Sequence, residues 1–338
     1  MLSRRLSVLA LAGACTVLWP IAASAQEAPS DDALDRREVR AWLMRIHEAA
    51  GRRNFQGTFV VSTGASVSSA RIAHYCDGRN QFERIETMDG QLRRVFRHND
   101  LVHTLWPQRH LALVERRDLM SSFPALLQGG DERIADAYEV RALGVERVAG
   151  HEADVLRIKP RDALRFGYKL WADKATGLLL RAEVLGDRNQ VLESSAFSEL
   201  TIGVRTQPES VLQPMSRLEG YKVLHPALAP TQLEAEGWVL RPPVPGFRQV
   251  SCVRRPLDET ADSGETPRVL QSIYSDGLTY VSVFIEPFDA ERHLRPMQTS
   301  SGATQTMMQR LGDSWITLVG DVPMATLRLF AGALEHKN

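Results

Sequence analysis

Residues 69–106 read SARIAHYCDGRNQFERIETMDGQLRRVFRHNDLVHTLW, and the pairs Asp77-Gly78, Asp89-Gly90 and Asn99-Asp100 inside this stretch decide the fold. Gly, Asn and Asp tolerate the positive φ that tight hairpins need, so each pair turns the chain back on itself. The runs between them alternate apolar and polar residues, which predicts antiparallel strands over Ser69–Cys76, Gln81–Thr87, Leu92–Arg97 and Leu101–Trp106. Working outward, Gly57–Ser62 and His110–Glu115 extend the same meander. A helical insertion is expected at Asp118–Gln128, broken by Pro124, before strands resume at Tyr138–Val148, Ala153–Lys159, Tyr168–Ala172, Leu178–Leu185 and Val191–Val204. An antiparallel sheet that long curls, enclosing either a packed core or a ligand cavity.

Ahead of the sheet, Val39, Leu43, Ile46 and Ala50 form one apolar stripe, which predicts an amphipathic helix from Ser30 to Ala50, ended by Gly51 and capped by Ser30 or Asp31. Beyond Val204 the periodicity fades, and Pro208, Pro214, Pro226 and Pro230 mark a linker over residues 206–235 with room for a short helix. A smaller α+β unit, residues 236–338, follows, with strands at Phe247–Arg254, Val269–Tyr274, Leu278–Ile285 and Trp315–Val319. A last helix runs over Pro323–Leu334, with proline in its first turn.

The chain opens as an exported protein does. Arg4 and Arg5 precede an uncharged apolar run, Leu6–Leu18, and Ala23-Ser24-Ala25 suits a signal peptidase, so residues 1–25 are expected to be a signal peptide cleaved after Ala25, with a periplasmic product. Removing 25 of the 338 residues leaves 313, and the segment carries two of the 41 basic and none of the 41 acidic residues, leaving a balance of −2. A nucleic-acid binder would show a basic surplus instead. No segment of the mature chain is apolar enough to be a spanning helix. The mature chain keeps Cys76 and Cys252, which either form a disulfide stapling the two domains or are two separately buried small side chains.

Catalytic signatures are missing: there is no Gly-x-Ser-x-Gly elbow, no phosphate loop and no His-Glu-x-x-His pair. No enzyme activity, cofactor or metal is expected. His98, His103 and His110, with His74 nearby, are better explained as strand and turn residues than as ligands, since a metal site needs converging ligands with a supporting shell. Asp276, in Tyr274-Ser275-Asp276-Gly277-Leu278, reads as a turn residue between two strands.

Four C-terminal segments carry a resemblance: Pro245-Gly246-Phe247, Val253-Arg254-Arg255-Pro256-Leu257, Tyr274-Ser275-Asp276-Gly277-Leu278 and Val319-Gly320-Asp321-Val322-Pro323. In order and spacing they resemble the RseB/MucB family of periplasmic sigma-factor regulators. Met88-Asp89-Gly90, Arg93-Arg94-Val95, Trp106-Pro107 and Lys169-Leu170-Trp171-Ala172-Asp173 are similar to that family's larger domain. The resemblance implies an α+β protein: a large LolA/LolB-like incomplete antiparallel β-barrel with helices (residues 26–205) and a smaller C-terminal domain.

It further implies that the chain binds the periplasmic region of an RseA/MucA-type anti-sigma factor and shields it from proteolysis, releasing it when the large domain senses lipoprotein or lipopolysaccharide-derived signals. A lipid or lipoprotein chaperone is the alternative, and a homo-oligomer stays open. The apolar candidates for a ligand hollow are Phe59, Val61, Ile72, Phe82, Ile85, Val95, Leu101 and Leu105, with Leu119, Met120 and Phe123 from the insertion. Those for partner contact are Arg254, Arg255, Tyr274 and Asp276.

Overall fold

The computed structural model describes residues 33–64, 66–116, 134–226, 228–256 and 268–337. Helix α1 (Arg36–Arg52) leads into six strands, β1 (Phe55–Thr63), β2 (Ser66–Cys76), β3 (Gln81–Thr87), β4 (Arg94–His98), β5 (Leu101–Trp106) and β6 (Leu111–Arg116). A short α2 (Ile134–Ala137) precedes β7 (Tyr138–Val148), β8 (His151–Pro160), β9 (Gly167–Asp173), β10 (Leu179–Leu185) and β11 (Val191–Ile202). Helix α3 (Glu209–Ser216) and β12 (Lys222–Leu224) follow.

These strands form one 12-stranded sheet in the order β12-β6-β5-β4-β3-β2-β1-β11-β10-β9-β8-β7. Strand β1 is its seam, pairing with β2 on one side and β11 on the other, so two meanders leave it in opposite directions. The sheet does not close, because β12 and β7 stand at opposite ends of the order. An α+β protein built on an open antiparallel sheet is what the resemblance implied.

The α1 stripe is buried as expected, with Val39, Leu43, Ile46, Ala49 and Ala50 inward. Its start differs from the expectation. Asp35, not Ser30 or Asp31, is the N-cap: its carboxylate accepts from the Arg37 and Glu38 N–H groups, while Glu38 reaches back to accept from the Asp35 N–H. That reciprocal arrangement satisfies three N–H groups that would otherwise be orphaned at the helix start. Just ahead, Leu34 donates its N–H to the Val140 carbonyl, so the chain there is committed to the edge of β7 rather than to a helix. The expected insertion at Asp118–Gln128 lies outside the described residues.

The smaller unit contains β13 (Ala229–Pro230), β14 (Trp238–Leu240), β15 (Arg248–Pro256), β16 (Arg268–Ser275), β17 (Tyr280–Pro287), β18 (Met297–Ser301), β19 (Thr304–Leu311) and β20 (Ser314–Gly320), then α4 (Met324–Ala333) and β21 (Leu334–His336). Seven of them make a sheet ordered β13-β15-β16-β17-β20-β19-β18, while β14 pairs with β21. Leu327, Phe330 and Ala331 of α4 pack with Val281, Val283, Ile316 and Leu318 in its core. The hairpin β18–β19 was not expected from sequence. All five residues of β18 are exposed, so no buried face imposes alternation on its composition.

The stretch expected as a linker begins as part of the large domain. Val211 and Met215 of α3 share a core with Tyr75, Phe82, Phe96 and Leu105, and β12 pairs in parallel with β6. Only past Leu224 does the chain leave the large sheet for the smaller one.

A candidate interdomain binding site

The loop between β8 and β9 carries Arg165, whose side chain is 1% exposed and reaches into the smaller domain. Its Nε donates to Asp276 Oδ2 at 2.6 Å, one Nη donates to Asp162 of its own loop, and the other donates to the Pro245 carbonyl at 2.9 Å. The guanidinium lies 4.8 Å from the centre of the Phe247 ring, a cation–π distance.

Asp276 is equally enclosed and divides its work between its two oxygens. Oδ1 accepts the N–H groups of Leu278 and Thr279, each at 2.9 Å, which shapes the turn between β16 and β17. Oδ2 accepts from Arg165 and from the Tyr138 hydroxyl at 2.8 Å. The turn role read from sequence is therefore present, and a second role is added. Burial opposes the Arg165 charge, but Asp276 and then Asp162 outweigh it and hold the guanidinium more firmly protonated than usual. Burial first, then the Asp276 charge, push the Tyr138 phenol well above its ordinary value, so it stays a neutral donor.

Apolar side chains are exchanged around this pair. Leu164 of the large domain packs against the smaller domain's core, and Leu278 of the smaller domain packs against the core beneath α1. Thr326 Oγ1 on α4 donates to the Leu164 carbonyl at 2.8 Å.

Beside the pair lies a cleft of about 690 Å³, within the size range of small-ligand sites, lined from both domains by Arg157, Lys159, Leu192, Ser300, Pro323 and Met324 among others. At the same interface, burial and then the Asp321 carboxylate push the Glu193 carboxyl up from its ordinary 4.5. A raised carboxyl favours the folded state below its unfolded pKa, and that advantage is lost as pH rises through the folded value. Replacing Glu193 with Gln is expected to remove this loss: melting temperatures of wild type and Glu193→Gln should diverge in the variant's favour as pH rises from about 4.5 towards neutrality.

Strand register shows which expected residues meet. Phe59, Val61, Ile72, Ile85 and Val95 share one face of the large sheet, since Gly57 pairs with Ile72, Ile72 with Ile85 and Ile85 with Val95. Phe82, Leu101 and Leu105 occupy the opposite face, through the pairs Tyr75–Phe82, Phe82–His98, His98–Leu101 and Arg94–Leu105. There Phe82 and Leu105 are buried in the α3 core, with Leu101 packed against it, so these three do not line a hollow with the other five. Leu119, Met120 and Phe123 lie outside the described residues.

Of the expected partner contacts, Tyr274 is buried beside Phe330, their ring centres 5.2 Å apart, and Asp276 is consumed by Arg165. Arg254 pairs with Glu236, and Arg255 donates to Gln271 at 3.0 Å, both within the smaller domain. The histidines take separate packing roles: His98 stacks on Phe82, His74 Nδ1 is 2.9 Å from the Arg53 carbonyl, His103 is buried in β5, and His110 turns the chain at φ +48°. Cys76 and Cys252 are free, one in each sheet, which decides between the two alternatives in favour of separate thiols, Cys252 buried and Cys76 half-buried. Alkylation of the unfolded protein without reductant is expected to label both thiols; a doubly protected chain that gains two labels only after reduction would contradict this.

Two family models match most of the chain: the MucB/RseB N-terminal domain matches residues 38–215 and the MucB/RseB C-terminal domain matches residues 232–335. The chain belongs to the MucB/RseB family. Among relatives, the sigma factor AlgU regulatory protein MucB of Pseudomonas aeruginosa is 30% identical, with 92% of this chain and 94% of that protein covered. The sigma-E factor regulatory protein RseB of Escherichia coli is 25% identical over 86% of this chain and 88% of its own. A solved complex of Pseudomonas aeruginosa MucA and MucB matches with a TM-score of 0.67 and 27% identity, covering 88% of this chain and 99% of the matched one. MucB in complex with MucA(peri) matches with a TM-score of 0.65 and 26% identity, over 88% of this chain and 98% of that one.

Two of the segments that carried the MucB/RseB resemblance are the socket for Arg165. Pro245 supplies a carbonyl and Phe247 an aromatic plate, while Gly246 has φ +78° and leaves no room for a Cβ, which would sit 2.0 Å from an Arg165 Nη. Asp276 supplies the countercharge. Arg165 itself went unnoticed in the sequence, because a single arginine in a loop whose main partner is 111 residues away leaves no local pattern.

Proposed function

We propose that this chain is a periplasmic negative regulator of an envelope-stress sigma factor. It binds the periplasmic region of a MucA/RseA-type anti-sigma factor and shields that region from proteolysis. The observation that carries this reading is the match of both domains together to MucB, over 92% of this chain, and to solved complexes of MucB with MucA. The cleft between the domains, with cationic Arg157 and Lys159 beside apolar Leu192 and Met324, offers a peptide both charge and apolar contact. It acts by binding rather than by catalysis, in keeping with relatives named as regulatory proteins. Among the described residues no helix is long and apolar enough to cross a membrane.

Signal input belongs to the large domain in this proposal. Phe59, Val61, Ile85 and Val95 are half-buried on one sheet face, a stripe suited to an acyl chain from a lipoprotein or lipopolysaccharide. Each buried CH₂ would contribute about 0.8 kcal/mol. Release of the partner requires that the lipid bind the partner-free arrangement more tightly than the partner-bound one.

A pull-down from detergent-solubilised membranes with the mature chain tests the proposal. Recovery of a single-pass anti-sigma factor is the expected result. Recovery of many lipoproteins without it would replace the regulator with a lipid or lipoprotein chaperone.

A further inference from the structure

Sheet edges are normally blunted against stray strands by shortness, proline, charge, bulges or cover. Most edges of this molecule follow that rule. Strand β13 is two residues long and one is Pro230, which has no N–H to offer; β12 has three residues; β7 carries a register shift at Ala142/Gly144 and a bridge from Ala33.

Strand β18, Met297-Gln298-Thr299-Ser300-Ser301, follows none of it. It stands at the end of the seven-stranded sheet, pairs with β19 in unbroken register, and contains neither charge nor proline. All five residues are exposed, so alternate N–H and C=O groups on its outer side face solvent. Two further observations indicate what would cover it. Ser300 also lines the interdomain cleft, so the cleft reaches this strand. The approach is cationic and apolar: Arg295 is exposed just ahead of the strand, Arg328 of α4 donates to Gln298 at 2.8 Å, and Leu294 and Met297 are 83% and 42% exposed.

We infer that β18 receives an extended segment of the anti-sigma partner by strand addition, a segment in which apolar side chains alternate with polar ones and at least one carboxylate meets Arg295 or Arg328. Backbone pairing supplies affinity with little demand on sequence, and the flanking side chains set the direction and register of the added strand. The inference rests on the regulatory reading above and adds where and in what conformation the partner is held.

The test is amide hydrogen exchange of the full mature chain, alone and with the periplasmic region of the MucA-type anti-sigma factor from the same organism. Exchange of residues 297–301 is expected to slow at least tenfold on binding, and Arg295→Glu is expected to weaken affinity about tenfold. Adjacent residues of a strand point their N–H groups to opposite sides, so one of Gln298→Pro and Thr299→Pro removes an outward donor; that variant should lose binding at an unchanged melting temperature. Binding with unprotected 297–301 amides overturns the inference and leaves the regulatory reading standing. No binding at all overturns both. Concentration-dependent protection without the partner would assign the edge to a second copy of the chain and overturn it too.

Discussion

Asp276→Ala is expected to be among the most damaging single substitutions in the chain. It removes one side chain that accepts four hydrogen bonds, two from its own turn and two from the other domain. Arg165 is left 1% exposed with only Asp162, itself 39% exposed, as a carboxylate partner. Breaking a buried pair by deleting one member costs about 3–5 kcal/mol, since the remaining charge stays desolvated. The Asp162 contact places this case towards the lower figure. In thermal unfolding that corresponds to a fall of roughly 10 °C, at about 2–4 °C per kcal/mol for domains of this size. Asp276→Asn keeps an oxygen for the turn but loses the countercharge, so it should fall between wild type and alanine. A melting temperature for Asp276→Ala within a degree or so of wild type would refute the latch.

Gly246→Ala carries the second large effect, and it separates two costs. At φ +78° an L side chain is strained, and its Cβ would stand 2.0 Å from an Arg165 Nη, forcing the guanidinium off the Pro245 carbonyl and Phe247. Gly150→Ala supplies the comparison: φ is +87° there, but nothing lies within 4 Å of the added Cβ. Gly150→Ala should therefore cost only the left-handed backbone term, about 1–2 kcal/mol. Gly246→Ala should cost that plus part of the latch, about 3–5 kcal/mol in all. Combining Gly246→Ala with Asp276→Ala should cost clearly less than the sum of the two, because both disturb the same guanidinium. Full additivity in urea melts would mean that Gly246 acts through its backbone alone.

The large sheet was legible because its information is local. Asp77-Gly78, Asp89-Gly90 and Asn99-Asp100 force turns, and β3 and β5 begin and end where the alternation predicts. What joins distant segments was less legible. Phe82 and Ile85 are three apart on β3 and therefore point to opposite faces, yet both faces of that region carry apolar side chains, so hydrophobicity alone placed them together. Strand β18 was missed for the converse reason, having no buried face to write a pattern. Ser275-Asp276-Gly277 was visible as a turn and Pro245-Gly246-Phe247 as part of the family resemblance, but their common purpose is supplied by Arg165, a residue that no turn or periodicity singles out.

The crossed placement of Leu164 and Leu278 has a consequence for how a signal crosses the molecule. Each leucine packs against the other domain's core, and the charged latch beside them tolerates little sliding, because a guanidinium displaced by an ångström or two loses its acceptors without regaining water. An apolar contact of the same area would allow many nearly equivalent dockings; this one has a single register. Movement at the β8–β9 loop is therefore transmitted to α4 and the β16–β17 turn with almost no play, as through a keyed shaft. A displacement within the large sheet is then expected to reach the neighbouring domain while the two stay docked.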